Sequence, residues 1–280
     1  MNDLPLEQKD QLAFQLAQEF LLGLNIPGVD GLLLEKYMRL PTLQSRPETL
    51  AGIYSNLLDS AQNASMKAGV IGRSLGGFSE LGQVLGNFDP LFVLRTYGAD
   101  WSLLLDTIER ELQPNGQIRR SPRSIWPNYC QTVLEAAQFI TQFSDADDFY
   151  RWADFFDQDN RARPALPMVL MSEIHGIGFA LACDFLKELG YLNFGKPDVH
   201  IRDIFVGLDL CPPKPTDYQL LKVIVRIAEH VQRTPFAVDK LFWLIGSGRL
   251  YDDPQLGDQG KIGRHKKAFI AYAQERLLTA

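Results

Sequence analysis

Apolar residues along this chain recur at the three- and four-residue spacing that is typical of amphipathic helices. In the first such segment, 6–24, one helical face carries Leu12, Phe14, Leu16, Ala17, Phe20 and Leu21. The same pattern predicts further helices at 47–61, 77–86, 99–113, 123–143, 145–157, 166–174, 178–189, 199–207, 217–233, 236–246 and 264–279. No run alternates between apolar and polar residues as a half-buried strand would. The sequence therefore predicts an all-α fold.

The length of 280 residues allows one large domain or two lobes that share a core. We expect two helical lobes with a cleft between them, although the chain has no obvious interdomain linker and no internal repeat. By its motifs the chain divides into an N-terminal helical region at 1–115, a core at 116–235 and C-terminal helices at 236–280. The first part of the chain, up to about residue 68, holds no motif that we can interpret.

The net charge of −6 argues mildly against binding to a nucleic acid, for which a basic surface is the usual footprint. Two segments are nevertheless purely basic. The first, 114–134, contains Arg119, Arg120 and Arg123, and the second, 260–268, contains Lys261, Arg264, Lys266 and Lys267. Either segment can contact phosphates or form a solvated face, and the sequence leaves both interpretations open.

Cysteine and histidine usage argues against a metal cofactor. The three cysteines, Cys130, Cys183 and Cys211, form neither a disulfide framework nor a CxxC site, and a four-thiolate iron–sulfur cluster needs one more. No pair of histidines has the spacing of a zinc site on a helix. Without a secretory signal or a long apolar run, we expect a cytoplasmic monomer that has no membrane partner, nucleoid-associated if the source is a prokaryote.

The segment 168–205 is the most informative part of the sequence. A short helix is predicted to end near Ile174, and a second helix to run over 179–189, with His-Gly-Ile-Gly at 175–178 between them. Gly176 and Gly178 allow a very tight turn because glycine accepts positive φ, and Ile177 is expected to point inward and hold the two helices together. A Gly-x-Gly turn is also common as a plain connector.

The start of the second helix is a candidate phosphate site. Backbone N–H groups at Gly178, Phe179 and Ala180 are expected to face outward at the positive end of the helix dipole. A DNA phosphate can bind there without any lysine. A net-acidic protein can therefore still bind DNA.

Asp198 is the candidate catalytic group. It begins a predicted helix, follows a loop at 190–197 that contains glycine and proline, and lies twenty residues after Gly178. Aspartate is also a frequent helix N-cap, and the two roles can coexist. His200 lies next to it, either as a functional group or as a hydrogen-bonded histidine that fixes the loop.

These motifs resemble the helix-hairpin-helix-Gly/Pro-Asp (HhH-GPD) DNA glycosylases. The Gly-Ile-Gly at 176–178 is similar to the hairpin of that family, and the Gly-Lys-Pro-Asp at 195–198 is similar to its loop and aspartate. The Asp-Val-His at 198–200 resembles the segment around the active aspartate of 8-oxoguanine glycosylases. The resemblance covers about forty residues.

The resemblance implies a base-excision repair enzyme that binds double-stranded DNA and flips a base out of the stack. Cleavage of the N-glycosidic bond develops positive charge on the sugar, and Asp198 would stabilise that oxocarbenium-like state or activate water. No iron–sulfur cluster is expected, and the resemblance allows a structural monovalent cation at the hairpin.

One departure from the family concerns the lysine that lyase-competent members carry two residues after the second hairpin glycine. This chain has Ala180 there, and neither Lys187 nor Lys196 matches the position. We therefore expect a monofunctional glycosylase that acts on a damaged or mispaired base, with an oxidised purine favoured by the Asp-Val-His likeness. A catalytically inactive DNA-binding relative is the alternative.

Further candidates are weaker. Lys261 and Arg264 precede the last helix among glycines, which suits phosphate contact or a solvated face, and 119–126 has the same two interpretations. Phe242 or Trp243 can stack on an extruded base, although aromatics at helical spacing usually pack in a core.

Gly-Arg-Ser-Leu-Gly at 72–76 fits the GxSxG pattern of serine hydrolases. That motif needs a strand before Ser74 and a parallel sheet beneath it. The neighbouring segments read as helix and loop, so we expect a flexible turn between helices rather than a nucleophile.

Overall fold

The computed structural model describes residues 4–39, 45–63, 69–250 and 256–279. Within these ranges the chain is helical and contains no strand, apart from an isolated antiparallel bridge between Arg249 and Lys261. The predicted all-α fold is confirmed. In the same ranges, no helix has both the length and the apolar composition that a membrane crossing requires.

The helices that the structure describes are α1 (Leu6–Gly23), α2 (Gly31–Tyr37), α3 (Leu50–Ala61), α4 (Val70–Leu75), α5 (Pro90–Tyr97), α6 (Trp101–Leu112), α7 (Ile125–Ile140), α8 (Ala146–Asp157), α9 (Ala165–Glu173), α10 (Phe179–Glu188), α11 (Val199–Gly207), α12 (Asp217–His230), α13 (Pro235–Ser247) and α14 (Lys266–Thr279). The chain forms two compact units, one of residues 45–189 and one in which residues 1–44 join residues 190–280. The motif-based division at 1–115, 116–235 and 236–280 stays a prediction.

In the unit of residues 45–189, α7 packs against α3, α5, α6 and α9. Two tyrosine hydroxyls fix α7 on α3 because each donates to a main-chain carbonyl of the other helix. Tyr54 Oη donates to Val133 O at 2.8 Å, and Tyr129 Oη donates to Leu58 O at 3.1 Å. Helix α10 packs in turn against α9 and α3, so the hairpin helices rest on this fixed base.

In the unit that contains residues 190–280, α13 packs against α1, α2, α11, α12 and α14. Phe242 on α13 is fully buried and meets Phe205 of α11 edge to face, with ring centroids 5.1 Å apart. Asp10 of α1 is fully buried and accepts from both Arg226 and His230 of α12. A buried carboxylate needs such partners, so these contacts fix the N-terminal helix to this unit.

Three helices, α2, α4 and α5, were not predicted by the apolar periodicity. Each has eight residues or fewer, too short for the period to stand out. The predicted flexible turn at 72–76 is wrong, because α4 occupies most of it and ends at Gly76 with φ of 82°. The predicted helix at 77–86 is instead a 3-10 helix over Phe78–Gln83.

Candidate nucleic-acid interface

The hairpin turn between α9 and α10 depends on Gly176 rather than on both glycines. Gly176 has φ of 78°, and a Cβ added there would lie 2.5 Å from Thr132 Oγ1. Gly178 has an extended conformation, with φ of −82° and ψ of 167°, and a Cβ there would meet nothing within 4 Å. The expectation of positive φ at glycine therefore holds at Gly176 only, while Gly178 leaves open space before α10.

The N-terminus of α10 starts at this open side. Gly178 is its N-cap and provides no side-chain oxygen, and the first helical hydrogen bond runs from Ala182 N to Gly178 O at 2.9 Å. Ile177 is 2% exposed and so points inward as expected, while Phe179 is buried and Ala180 half-buried. The first-turn N–H groups of a helix that lacks a side-chain cap form a site that suits an anion.

One face of α7 supports the turn from behind. Glu135 Oε2 accepts the His175 backbone N–H at 2.7 Å, and Asn128 Oδ1 lies 3.0 Å from His175 Nε2. Thr132, between them on the same face, is the residue that Gly176 approaches closely. This face was not predicted from the sequence. Its signal is the helical spacing of Asn128, Thr132 and Glu135, although α7 also carries Gln131 and Gln138.

The loop at 190–197 is held tightly by α12 and α13. Gly195 is buried, and a Cβ there would lie 2.9 Å from both Asp239 Cβ and Ile224 Cγ2. Two main-chain groups fix the loop further, because Lys196 N donates to Asp239 Oδ2 at 3.0 Å and Phe236 N donates to the carbonyl of Leu192 at 3.0 Å. These contacts therefore fix the position of Asp198, which follows the loop, within this unit.

Asp198 is the N-cap of α11. Its Oδ1 accepts from His200 N at 2.7 Å and from Ile201 N at 3.1 Å, and the side chain is half-buried. Within the described ranges, Oδ2 has no hydrogen-bond or ion-pair partner. The capping role considered from the sequence is thus present, and it uses only one of the two carboxylate oxygens.

His200 packs closely against α13. A Cβ at Gly246 would lie 2.6 Å from His200 Cβ, and His200 Nδ1 is buried without a hydrogen-bond partner in the part of the chain described. In the described part of the chain, packing against α13 therefore holds the ring, with no hydrogen bond at Nδ1. Burial lowers the pKa of His200, and the negative charge of Asp198 opposes that effect. Smaller charge effects come from Lys266, Asp203 and Lys196.

The basic segment before α14 lies beside α11 and the end of α13. A Cβ at Gly248 would lie 1.9 Å from Gly263 O, so the two glycines permit a close backbone approach. Lys266 forms an ion pair with Asp203 on α11. Lys261 and Arg264 are exposed. The structure therefore brings the candidate cations Lys261 and Arg264 into the unit that holds Asp198.

The other basic segment is partly occupied by contacts within the chain. Arg120 pairs with Asp106 at 2.6 Å and with Glu109, both on α6. For Arg120, these ion pairs favour the interpretation as a solvated surface residue over a phosphate contact. Arg119 and Arg123 are exposed. No part of this segment shares a compact unit with Asp198, which lies outside residues 45–189.

The structure argues against two of the weaker functional candidates, Phe242 as a base-stacking residue and Ser74 as a nucleophile. Phe242 is fully buried in the core, so it is not available to stack on a base, while Trp243 is half-buried with Lys240 Nζ 5.3 Å from its ring centroid. Ser74 lies inside α4 and donates its hydroxyl to Ile71 O at 2.7 Å. No strand precedes it in the described ranges, so the nucleophile turn of a serine hydrolase is not formed.

In the described ranges, no three histidine, cysteine, aspartate or glutamate residues are placed to hold a metal ion together. The side chains from His175 to Gly178 offer no oxygen ligand, so a monovalent cation at the hairpin would have only main-chain carbonyls there. That cation stays a prediction.

The fold is similar to that of a solved DNA-repair complex. The crystal structure of Methanocaldococcus jannaschii 8-oxoguanine glycosylase/lyase with 15mer DNA containing 8-oxoguanine superposes with a TM-score of 0.53, covering 84% of this chain and 97% of that chain. Sequence identity over the match is 14%, so the likeness shows the fold alone. No protein-family model and no curated relative matches the chain.

Proposed function

We propose that this protein is a monofunctional DNA glycosylase of base-excision repair that removes a damaged or mispaired base, with an oxidised purine as the favoured substrate class. The fold shared with a glycosylase/lyase supports the reaction class. The Asp-Val-His at 198–200 supports the substrate class through its resemblance to 8-oxoguanine glycosylases. The DNA partner is a duplex from which one nucleotide is flipped out.

The observation that carries the proposal is the geometry of Asp198. Two backbone N–H groups hold Oδ1, at 2.7 and 3.1 Å, so the carboxylate cannot rotate freely. Oδ2 is left to act on the substrate. As the C1′–N bond breaks, its electron pair leaves with the base and positive charge develops on the sugar. A fixed negative oxygen stabilises that charge without reorganisation, and it can also accept a proton from the attacking water.

The hairpin and the basic segment supply the DNA contacts in this proposal. The N-terminus of α10 at Gly178, Phe179 and Ala180 binds one phosphate through backbone N–H groups, and Lys261 and Arg264 bind others. Ala180 stands where lyase-competent family members have lysine, so no amine is present there to attack C1′. Water is then the nucleophile, and the product is an intact strand with an abasic site.

The test uses duplexes that each carry one defined lesion, including 8-oxoguanine and its mispairs, followed by alkali to cleave abasic sites. We expect the wild type to release base from at least one duplex, and Asp198→Asn to be at least about a hundredfold slower. Asparagine is as good an N-cap as aspartate, so α11 and DNA binding are retained in this variant. Strand cleavage without alkali, or covalent trapping by borohydride, would contradict the monofunctional assignment.

The alternative is a catalytically silent protein that binds DNA through the hairpin, which the missing lysine at Ala180 favours. Binding to lesion duplexes without base release across the whole panel would establish this alternative. Equal base release by the wild type and Asp198→Asn would remove Asp198 from the mechanism.

A further inference from the structure

Helix α13 contacts the chain on both sides of Asp198. Before Asp198, Lys196 N donates to Asp239 Oδ2 at 3.0 Å. After it, His200 packs so closely on Gly246 that a Cβ there would lie 2.6 Å from His200 Cβ. Asp239 and Gly246 are seven residues apart, close to two helical turns, so both lie on one face of α13. A single helix face therefore holds both the loop that leads to Asp198 and the helix that follows it.

Main-chain groups connect the Asp239 contact to Asp198. Across Pro197, whose ring fixes φ, Asp198 N donates to Lys196 O at 2.8 Å and closes a three-residue turn. Lys196 thus accepts from Asp198 on one side of its residue and donates to Asp239 on the other. A displacement of Lys196 must therefore displace the backbone of Asp198 with it.

Asp239 itself lies inside this unit and cannot reach a substrate, because it is 1% exposed. The loop approaches it as closely as glycine permits, since a Cβ on Gly195 would lie 2.9 Å from Asp239 Cβ. Phe236, near the start of the same helix, donates its N–H to Leu192 O at 3.0 Å and holds the earlier part of the loop. Any effect of Asp239 on a reaction therefore has to act through the loop and Asp198.

We propose that Asp239 is a positioning residue for the glycosylase reaction. By accepting the Lys196 N–H, it sets where the Asp198 carboxylate stands relative to the sugar. Such a group has to be held to within about 0.5 Å of its productive position, and a displacement of about 1 Å can slow a reaction by about a hundredfold. The inference rests on the proposed function, in which Asp198 stabilises the charged sugar.

The hydrogen bond is tested with Asp239→Leu and Asp239→Asn. Leucine has a similar volume but accepts no hydrogen bond, whereas the amide oxygen of asparagine can still accept from Lys196 N. On a lesion duplex that the wild type processes, single-turnover base release should be at least about tenfold slower in Asp239→Leu and within about threefold of the wild type in Asp239→Asn. Affinity for a duplex with a tetrahydrofuran abasic-site analogue, read by fluorescence anisotropy, should change by less than about twofold in both.

Asp10→Asn is the matched control for a general loss of stability. Asp10 is as deeply buried in the same unit, but it ties α1 to α12 through Arg226 and His230. This variant should release base at the wild-type rate, at a temperature where circular dichroism shows every variant folded. Asp239→Ala removes the same acceptor as Asp239→Leu without adding a branched side chain, and it carries the same expectation if the leucine variant does not fold.

Two kinetic outcomes would overturn the proposal. One is a wild-type rate of base release in Asp239→Leu or Asp239→Ala. The other is an equal loss of rate in Asp239→Asn, because the hydrogen bond to Lys196 would then not be the cause. A loss of affinity that accounts for the whole loss of rate would also contradict a role in positioning alone.

Hydrogen exchange of single backbone amides tests the position of Asp198 without any chemistry. Asp198 Oδ1 accepts from His200 N and Ile201 N, so both amides report whether the carboxylate stays in place. In Asp239→Leu, exchange at Lys196, His200 and Ile201 should be at least about tenfold faster than in the wild type. Faster exchange at Lys196 alone would overturn the proposal. Failure of the wild type to release base from any duplex would refute the proposed function, and the exchange rates would still decide whether Asp239 positions Asp198.

Discussion

Gly176 and Gly178 have different physical roles in the hairpin turn. Replacing each by alanine should therefore change the free energy of unfolding by different amounts. Gly176→Ala forces an L-residue to φ of 78° and places a Cβ 2.5 Å from Thr132 Oγ1. The left-handed conformation alone costs about 1–2 kcal/mol, and the close contact adds to it. We expect urea unfolding to show a loss of at least this size.

Gly178→Ala is the matched control for that measurement. Its backbone is already extended and a Cβ there meets open space. Alanine stabilises the protein by restricting the unfolded chain and destabilises it because it is a poorer N-cap than glycine. The two effects on the free energy of unfolding should cancel to within about 0.5 kcal/mol. Equal destabilisation in the two variants would mean that the turn differs from the one described.

His200 makes stability depend on pH. Burial lowers its pKa below the ordinary histidine value of 6.5, so the unfolded chain takes up a proton at a higher pH than the folded chain does. Stability is therefore lost as the pH falls below about 6.5 towards the lowered pKa of the folded state. We expect the thermal midpoint of the wild type to drop more between pH 7.5 and 5.0 than that of His200→Gln. Parallel drops would show that protonation of His200 is not linked to unfolding.

At the scale of elements, the sequence predicted the hairpin almost to the residue. The helices were expected to end near 174 and to begin at 179, and α9 ends at Glu173 while α10 begins at Phe179. The glycines at 176 and 178 made these helix ends predictable, because a tight turn needs specific residues at specific positions. The support from α7 could not be predicted in the same way, since Asn128 and Glu135 meet His175 only through tertiary packing.

The short helices show where periodicity stops being informative. Asp30 and Asp89 cap α2 and α5 by accepting from backbone N–H groups, a signal that was present in the sequence. Neither helix has more than eight residues, which is about two turns at most and too few for an apolar face to recur clearly. Capping residues locate such helices better than apolar spacing does, because a cap is a local chemical requirement whatever the helix length.

At the scale of the whole molecule, the net charge of −6 limits how DNA can be bound. Many cations are already paired within the chain: Lys266 with Asp203, Arg120 with Asp106, and Arg226 with Asp10. A cation held in such a pair cannot neutralise a phosphate without giving up its partner. We therefore expect a modest salt dependence of DNA affinity that comes from a few exposed residues and from backbone N–H groups, which carry no full charge.

Arg264 and Arg120 form a matched pair for testing this limit. Arg264 is exposed and forms no ion pair in the described part of the chain, whereas Arg120 is held by two carboxylates of α6. If Arg264 contacts a phosphate, Arg264→Gln should reduce the slope of log affinity against log salt by about 0.9. Arg120→Gln should leave the slope unchanged. A lost phosphate contact lowers the slope, whereas a general change in net charge affects both variants alike. Equal slopes in the two variants would therefore remove Arg264 from the DNA interface.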